Sequence, residues 1–377
     1  MGLKRIVRVA GINLVLLGAG LAILELSFGG WLDGSDPLLG FTKPRDVQWS
    51  FAAPWAPGGT VYTRDSNGLR GVDGPLDAVF ILTMGGSTTD QRYLSDDATW
   101  QEVLQGRIEA NGEVADIVNA GIDGQSSVGH IKNFAQWLNR IDTLKPRYIL
   151  FYVGINDFFL PDTNAFDRDL AETGTERLIR ERSALVAMGR MLESLVEGSA
   201  DETGAQRRAG HAFGGIHTAG YVDQRVFDRC CDQPALSDAF KALGQRIRQL
   251  ADLSRKFGAE PIFVTQRSAL WMRGGDGIVG APALQYASPS ILAALGAMTG
   301  VDRHDVERAQ SDVIMEACAM AKATCLNLFA EVAFDLETDF YDAFHNTPAG
   351  AQAVATYLFG ALQEKGVLKT VADGSNQ

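Results

Sequence analysis

Val79-Phe80-Ile81-Leu82-Thr83-Met84-Gly85-Gly86-Ser87-Thr88-Thr89-Asp90 is the stretch on which the reading of the chain turns. Its first six residues are apolar or β-branched, the composition of a buried strand. Gly85-Gly86 stop that strand, because two residues without Cβ let the backbone turn sharply and approach its neighbours. Ser87 follows at once. Its hydroxyl is thereby placed at the carboxyl end of a strand, where open α/β sheets bind ligands. Ser87 is the candidate nucleophile. A lone Gly-Gly-Ser would read equally well as a helix cap, so the weight falls on the rest of the chain.

The pattern repeats downstream. Val79–Met84 leads through Ser87 to a helix near Thr99–Ala110, with Trp100, Val103, Leu104 and Ile108 on one face. Val114–Val118 reads as a second strand, ending in Asn119-Ala120-Gly121-Ile122-Asp123-Gly124. A helix near Val128–Leu138 follows, and Tyr148–Val153 is a third strand that runs into Gly154-Ile155-Asn156-Asp157. After residues 160–232, a helix from Pro234 to Gly258, a strand at Pro261–Thr265, a helix over Asp302–Ala323 and a strand at Cys325–Leu328 resume the rhythm. Strands alternating with helices predict an α/β fold around a mostly parallel sheet. In such a sheet the strand ends lie on one edge, so Ser87, Gly121 with Asn119, and Asn156 with Asp157 can converge there.

Residues 160–232 read as an insertion at that edge, with an amphipathic helix over Glu176–Val196 and a loop over Ser199–Gly210. A lid and a lateral excursion are both compatible with it. Residues 268–300 are apolar but broken by Gly and Pro, and are expected to wall an acyl or sugar pocket.

The N-terminus carries Lys4, Arg5 and Arg8 ahead of an uncharged run from Val9 to Leu24. With Ile6, Val7 and a snorkelling Arg8 this is long enough to span a bilayer. The positive flank predicts a cytoplasmic N-terminus with the remainder extracytoplasmic, periplasmic or at the cell surface. Glu25-Leu26-Ser27-Phe28 offers no small-x-small cleavage site, which favours an uncleaved signal-anchor over residues 1–29. Residues 30–76 are rich in Gly, Pro and Asp and read as a connector docking on the main domain, 77–368. Thr60–Thr63 is expected as a short strand and Asp65-Ser66-Asn67-Gly68 as a hairpin-type turn. Arg64 and Arg70 read as solvated surface charge or, less directly, as substrate contacts. Residues 369–377 are a polar tail.

Composition excludes some functions. Lys plus Arg number 34 against 46 Asp plus Glu, a net charge of -12, which argues against a nucleic-acid partner. Cys230, Cys231, Cys318 and Cys325 contain no Cys-x-x-Cys pair, so a zinc site has little support; separately, no cofactor is expected. Cys318 and Cys325 would sit too far apart on an unbroken helix to bond. A disulfide between them needs the helix to end near Thr324, and free buried thiols are the alternative.

A serine hydroxyl needs a base within hydrogen-bond reach. Of five histidines, His345 alone follows a strand-end loop and precedes a helix, the one expected over Ala349–Gln363 with Thr347 as cap and Pro348 at its first position. Asp342 lies three residues before it and can share its turn, holding the imidazole in the useful tautomer. Ser87 N–H, Gly121 N–H and the Asn156 side-chain amide are the natural donors to an oxyanion.

These blocks resemble the SGNH hydrolases, or GDSL-type esterases. Gly85-Gly86-Ser87-Thr88 is similar to the first block, with Gly86 where Asp is usual. Asn119-Ala120-Gly121 resembles the glycine block, Gly154-Ile155-Asn156-Asp157 the third, and Asp342-Ala343-Phe344-His345 the last, all in the family's order over about residues 77–365. The resemblance implies a three-layer α/β/α sandwich of flavodoxin-like form and metal-free ester chemistry. It implies Ser87 as nucleophile, His345 as base, Asp342 as its orienter, and Gly121 and Asn156 in the oxyanion hole. The absence of Gly-x-Ser-x-Gly argues against the separate α/β-hydrolase fold. The expected substrate is a small ester or an O-acylated, most simply O-acetylated, carbohydrate. Two alternatives stand beside hydrolysis: acetyl transfer to a cell-envelope or exported polysaccharide, and a non-catalytic carbohydrate-binding component with the same fold.

Overall fold

The protein is described here from a computed structural model, which describes residues 3–29, 45–159, 183–186, 188–189, 213–226, 234–275, 277–282 and 298–369. These fall into two units, the first holding α1 (Leu3–Phe28) and the described residues of 183–189. Within α1, Arg8–Phe28 is long and apolar enough to cross a membrane. Its 21 residues reach about 31 Å at helical rise.

The second unit, 45–159 with 213–369, begins with the connector. Strand β1 (Val47–Trp49) pairs antiparallel with β2 (Tyr62–Arg64), Trp49 opposite Tyr62. The central sheet follows: β3 (Ile81–Gly85), β4 (Ile117–Asn119), β5 (Tyr148–Val153) and β6 (Glu260–Thr265). A hairpin of β7 (Trp271–Gly274) and β8 (Gly277–Gly280) then precedes the last sheet strand, β9 (Thr324–Leu326). The five sheet strands are parallel and run in the order β4-β3-β5-β6-β9. The register sets Ile81 beside both Ile117 and Tyr148, and Tyr148 beside Glu260.

Helices cover both faces. After the single turn α2 (Ser87–Asp90) come α3 (Trp100–Ala110), α4 (Ser127–Gln136), α5 (Pro234–Phe257), α6 (Gly300–Met320) and α7 (Pro348–Glu364). Helices α3 and α7 pack together on one face, and α5 packs with α4 and α6 on the other. Strand residues alternate between the two. Ile81, Ile117, Leu150, Ile262 and Val264 join Leu104, Ile108, Val354 and Leu358 in one apolar cluster. On the opposite face Phe151 stacks on Phe263 with ring centroids 5.0 Å apart, and Phe134 of α4 lies 6.5 Å from Phe151. This is the three-layer α/β/α sandwich expected.

Local chemistry accounts for the boundaries. Thr99 caps α3 by accepting from Glu102 N–H, and Thr299 and Asp302 form a capping box that starts α6 two residues before Asp302. Thr347 accepts from Gly350 N–H at 3.3 Å, with Pro348 opening α7. The second strand begins only at Ile117, since Val114 is fully solvated. Helix α6 stops at Met320 and the chain reverses at Lys322, φ +54°. That brings Cys318 and Cys325 to a Cα separation of 6.0 Å, and they form a disulfide.

One sequence expectation is corrected. The turn at Asp65–Gly68 forms, Gly68 at φ +80° and Asp65 Oδ1 accepting from Asn67 and Leu69 N–H. The partner of β2, however, is β1 upstream rather than a strand after the turn. Beyond the turn Arg70 exchanges two backbone bonds with Asn119, at 3.0 and 2.8 Å, and so covers the open edge of β4. The segment 268–300, expected to wall a pocket, is described only in part. Its described part is the β7–β8 hairpin, pressed on the start of α6 so closely that a Cβ on Gly280 would lie 2.6 Å from Gly300 Cα. The rest of that segment, the helix expected over Glu176–Val196 except for the residues at 183–186 and 188–189, the loop over 199–210, Cys230, Cys231 and the tail after 369 lie outside the described residues.

Candidate active site

Each side chain proposed from the sequence stands at the carboxyl edge of the sheet. Strand β3 ends at Gly85, and Ser87 is the first residue of α2. Two features require the glycines. A Cβ on Gly85 would strike Thr89 Oγ1, and one on Gly86 would strike Asn156 Nδ2. The close approach that seats Ser87 beside Asn156 therefore depends on their lacking side chains.

His345 bridges the other two members of the set. Its Nε2 lies 2.7 Å from Ser87 Oγ, and its Nδ1 lies 2.9 and 2.8 Å from Asp342 Oδ1 and Oδ2. A carboxylate only accepts, so Nδ1 carries the proton and Nε2 is the acceptor for the serine hydroxyl. Asp342 is itself fixed, since Oδ1 accepts from the N–H groups of Phe344 and His345 at 2.8 Å each. The Asp-x-x-His spacing thus makes one turn that presets both side chains. Tyr341 lies parallel to the imidazole, 5.5 Å between centroids. Burial, with Asp342 and Asp123 near, raises the Tyr341 phenol well above its ordinary value, so it stays neutral. The side chains of His345 and Asp342 are 11% and 14% exposed, enough for a substrate to reach the edge of the imidazole.

On the opposite side of Ser87, Asn156 opens a short 3-10 turn and donates from Nδ2 to Gln125 O at 2.8 Å. An amide nitrogen has two N–H groups, so a second donor is available. Ser87 N–H, at the first position of α2, has no intrahelical acceptor. Gly121 is placed differently. Its N–H donates to Asn119 Oδ1 at 2.8 Å, its carbonyl accepts from Arg64 at 2.5 Å, and a Cβ there would lie 2.5 Å from Asp90 N. Ser87, His345, Asp342 and Asn156 are brought together, whereas the Gly121 amide is held by its own turn. Asn119 donates to Thr89 O at 2.7 Å and ties that turn to α2.

Gln266 and Arg246 brace the site and were not singled out in the sequence, whereas Asp157 was expected at this edge beside Asn156. Gln266, at the end of β6, accepts from Ile155 N–H at 2.8 Å and donates to Thr88 Oγ1 at 2.7 Å, bracing both loops that flank the serine. Asp157 binds Ser127 through its hydroxyl and N–H, and Arg246 of α5 donates to both, at 2.6 Å to Ser127 Oγ and 3.2 Å to Asp157. The strand-end position of Gln266 was the one available signal. Arg64 and Arg70 are neither solvated nor free to meet a substrate: they are 3% and 1% exposed and donate to groups behind Ser87. Among the described residues no group of acidic, His or Cys side chains is arranged to hold a metal ion.

Residues 81–189 match the family of GDSL-like lipases and acylhydrolases. No curated protein matches the chain in sequence. Among solved structures, TesA is 14% identical, with a TM-score of 0.40, covering 76% of this chain and 98% of its own. The psychrotrophic esterase EstA from Pseudoalteromonas sp. is 11% identical, with a TM-score of 0.40 and coverage of 76% and 97%. The acetyl xylan esterase AlAXEase is 11% identical, with a TM-score of 0.37 and coverage of 75% and 100%. The matched segment opens at β3 and takes in the Ser87, Gly121 and Asn156 blocks in order. On that match residues 81–189 carry a GDSL-like lipase and acylhydrolase domain, which supports an ester-bond hydrolase.

Proposed function

We propose that the protein removes a short acyl group, most simply acetyl, from a carbohydrate through a serine acyl-enzyme, on the far side of the membrane that α1 crosses. The observation that carries the reading is the His345 imidazole, with Ser87 Oγ at 2.7 Å on one nitrogen and Asp342 at 2.8–2.9 Å on the other. Nε2 takes the hydroxyl proton as Ser87 Oγ attacks the ester carbonyl. Asp342 stabilises the imidazolium. Ser87 N–H and the free Asn156 N–H receive the developing negative oxygen. Gly121 N–H joins them only if the Asn119 amide lets it go. Collapse breaks the ester C–O bond, and His345 returns the proton to the leaving alcohol. Water then repeats the sequence on the acyl-serine, releasing the carboxylic acid and restoring Ser87.

A carbohydrate carrier is supported by the rings beside the triad. Trp55 lies 5.2 Å and Phe213 5.3 Å from Tyr341, and Tyr93 lies 5.0 Å from Phe213. Half-buried rings next to the reacting atoms suit the apolar face of a sugar. The compartment is supported by the Cys318–Cys325 disulfide, which persists where thiols are oxidised.

The test is turnover of p-nitrophenyl acetate and of an acetylated oligosaccharide. Wild-type protein should cleave both and Ser87→Ala neither. Trp55→Ala should raise KM for the oligosaccharide while leaving p-nitrophenyl acetate unaffected. A Ser87→Ala variant as active as wild type refutes the mechanism, and equal effects of Trp55→Ala on both esters refute the sugar-binding role.

A further inference from the structure

Behind Ser87 lies a buried ionic network drawn from the connector, outside the segment that matches the family. Arg64, at the end of β2, donates through Nη2 to Asp90 Oδ1 at 2.6 Å and to Gly121 O at 2.5 Å. Its Nη1 donates to Gly68 O at 2.6 Å and its Nε to Tyr62 Oη at 2.5 Å. The Tyr62 hydroxyl in turn donates a hydrogen bond to Asp90 Oδ1 at 2.8 Å. Arg70 donates through Nη1 to the carbonyls of Asp90 and Gln91, at 2.5 and 3.1 Å, and through Nη2 to Leu94 O at 2.6 Å. Its Nε reaches Asp96 Oδ1 at 2.6 Å, and its guanidinium lies 4.5 Å from the Tyr62 ring centre.

These partners have a common property. Helix α2 has one turn, too short to be stable alone, and its last carbonyls have no partners within it. Gln91 closes it at φ +49°, a conformation that non-glycine residues avoid. The two arginines supply donors where the backbone has none. Asp90 shares that turn with Ser87. Burial opposes its charge, and Arg64, Arg92 and Arg70 hold its carboxyl below the usual range, so the network stays ionised.

We infer that Arg64 is a positioning residue for the reaction: one guanidinium, bonded at once to Asp90 on the Ser87 turn and to Gly121 on the next turn, sets the spacing of the two loops that face the ester. Arg70 holds the far end of the same turn. Residues 62–70 are therefore part of the machinery, not a tether. The inference rests on the serine mechanism proposed above. A lysine keeps the charge but cannot reproduce the fork, so it can hold Asp90 or Gly121 but not both in register.

The experiment compares variants of the full chain by kcat, KM and the rate of Ser87 labelling by a fluorophosphonate. Arg64→Lys is expected to lower kcat about 10–100-fold, the scale of a small misplacement of reacting groups, with KM within about threefold and labelling slowed in step. Tyr62→Phe removes only the hydroxyl that joins Arg64 to Asp90 and should lower kcat by about fivefold; it decides the matter if Arg64→Lys does not fold. Leu250→Ala, fully buried in α5 away from the network, is the control for mere destabilisation and should keep kcat at a temperature where all variants are folded. Wild-type kcat in folded Arg64→Lys or in Tyr62→Phe overturns the inference, as does an equal loss in Leu250→Ala. In those outcomes Ser87→Ala remains inactive, whereas an active Ser87→Ala removes the serine mechanism and this inference together.

Discussion

Asn156 is held by one N–H to Gln125 O and faces Ser87 across Gly86, where no side chain intervenes. Asn156→Ala should lower kcat by about 10²–10³ with KM little changed, as loss of one oxyanion donor does; an unchanged kcat removes it from that role. His130, on α4, makes a separate prediction. It is fully buried, and burial drives its pKa from 6.5 down to about 4, only partly offset by the charge of Asp157. The folded protein therefore resists a proton that the unfolded chain accepts. Stability is complete above about pH 6.5 and falls as pH drops toward 4, by about 3 kcal/mol in all. Urea unfolding of wild type and His130→Leu between pH 7 and 4.5 should show a shallower decline in the variant; parallel declines contradict the assignment. At this scale the residues that the structure brings together were readable, because Ser87 and Asn156 follow strand ends and His345 has few alternatives among five histidines. Arg64 and Gln266 were not, since a long polar side chain has no pattern that tells a buried brace from a solvated surface group.

Helix ends decide what the elements contribute. Periodicity located α3, α5, α6 and α7 to within a few residues, because their apolar faces repeat at helical spacing against the sheet. It did not locate the end of α6, where Lys322 in the left-handed region turns the chain back and allows Cys318 to meet Cys325. The closed loop is short, so replacing both cysteines by serine should cost about 2–3 kcal/mol, read as a lower urea midpoint under oxidising conditions and no difference under reductant. An identical midpoint in both conditions contradicts it. The pairing of β1 with β2 was hidden for a related reason. Val47–Trp49 is three residues long, and its partner lies across a Gly- and Pro-rich excursion that carries no period.

Across the whole molecule the alternation of strand and helix was enough to give the parallel sheet, since strands buried on both faces read as apolar runs between amphipathic helices. What remained hidden was the connector's contact with the turns behind Ser87, such as the bond from Arg64 to Gly121, 57 residues apart. Helix α1 leads to a prediction at this scale. The full chain should stay with membranes through carbonate extraction, and a reporter fused after residue 377 should be active only outside the cytoplasm; activity inside contradicts the orientation proposed. The most direct test of the central claim is to treat the protein with a fluorophosphonate and map the adduct by mass spectrometry. The account predicts one modified residue, Ser87, with labelling lost in Ser87→Ala and strongly slowed in His345→Ala. An adduct on another residue, or full labelling without the His345 imidazole, would contradict it.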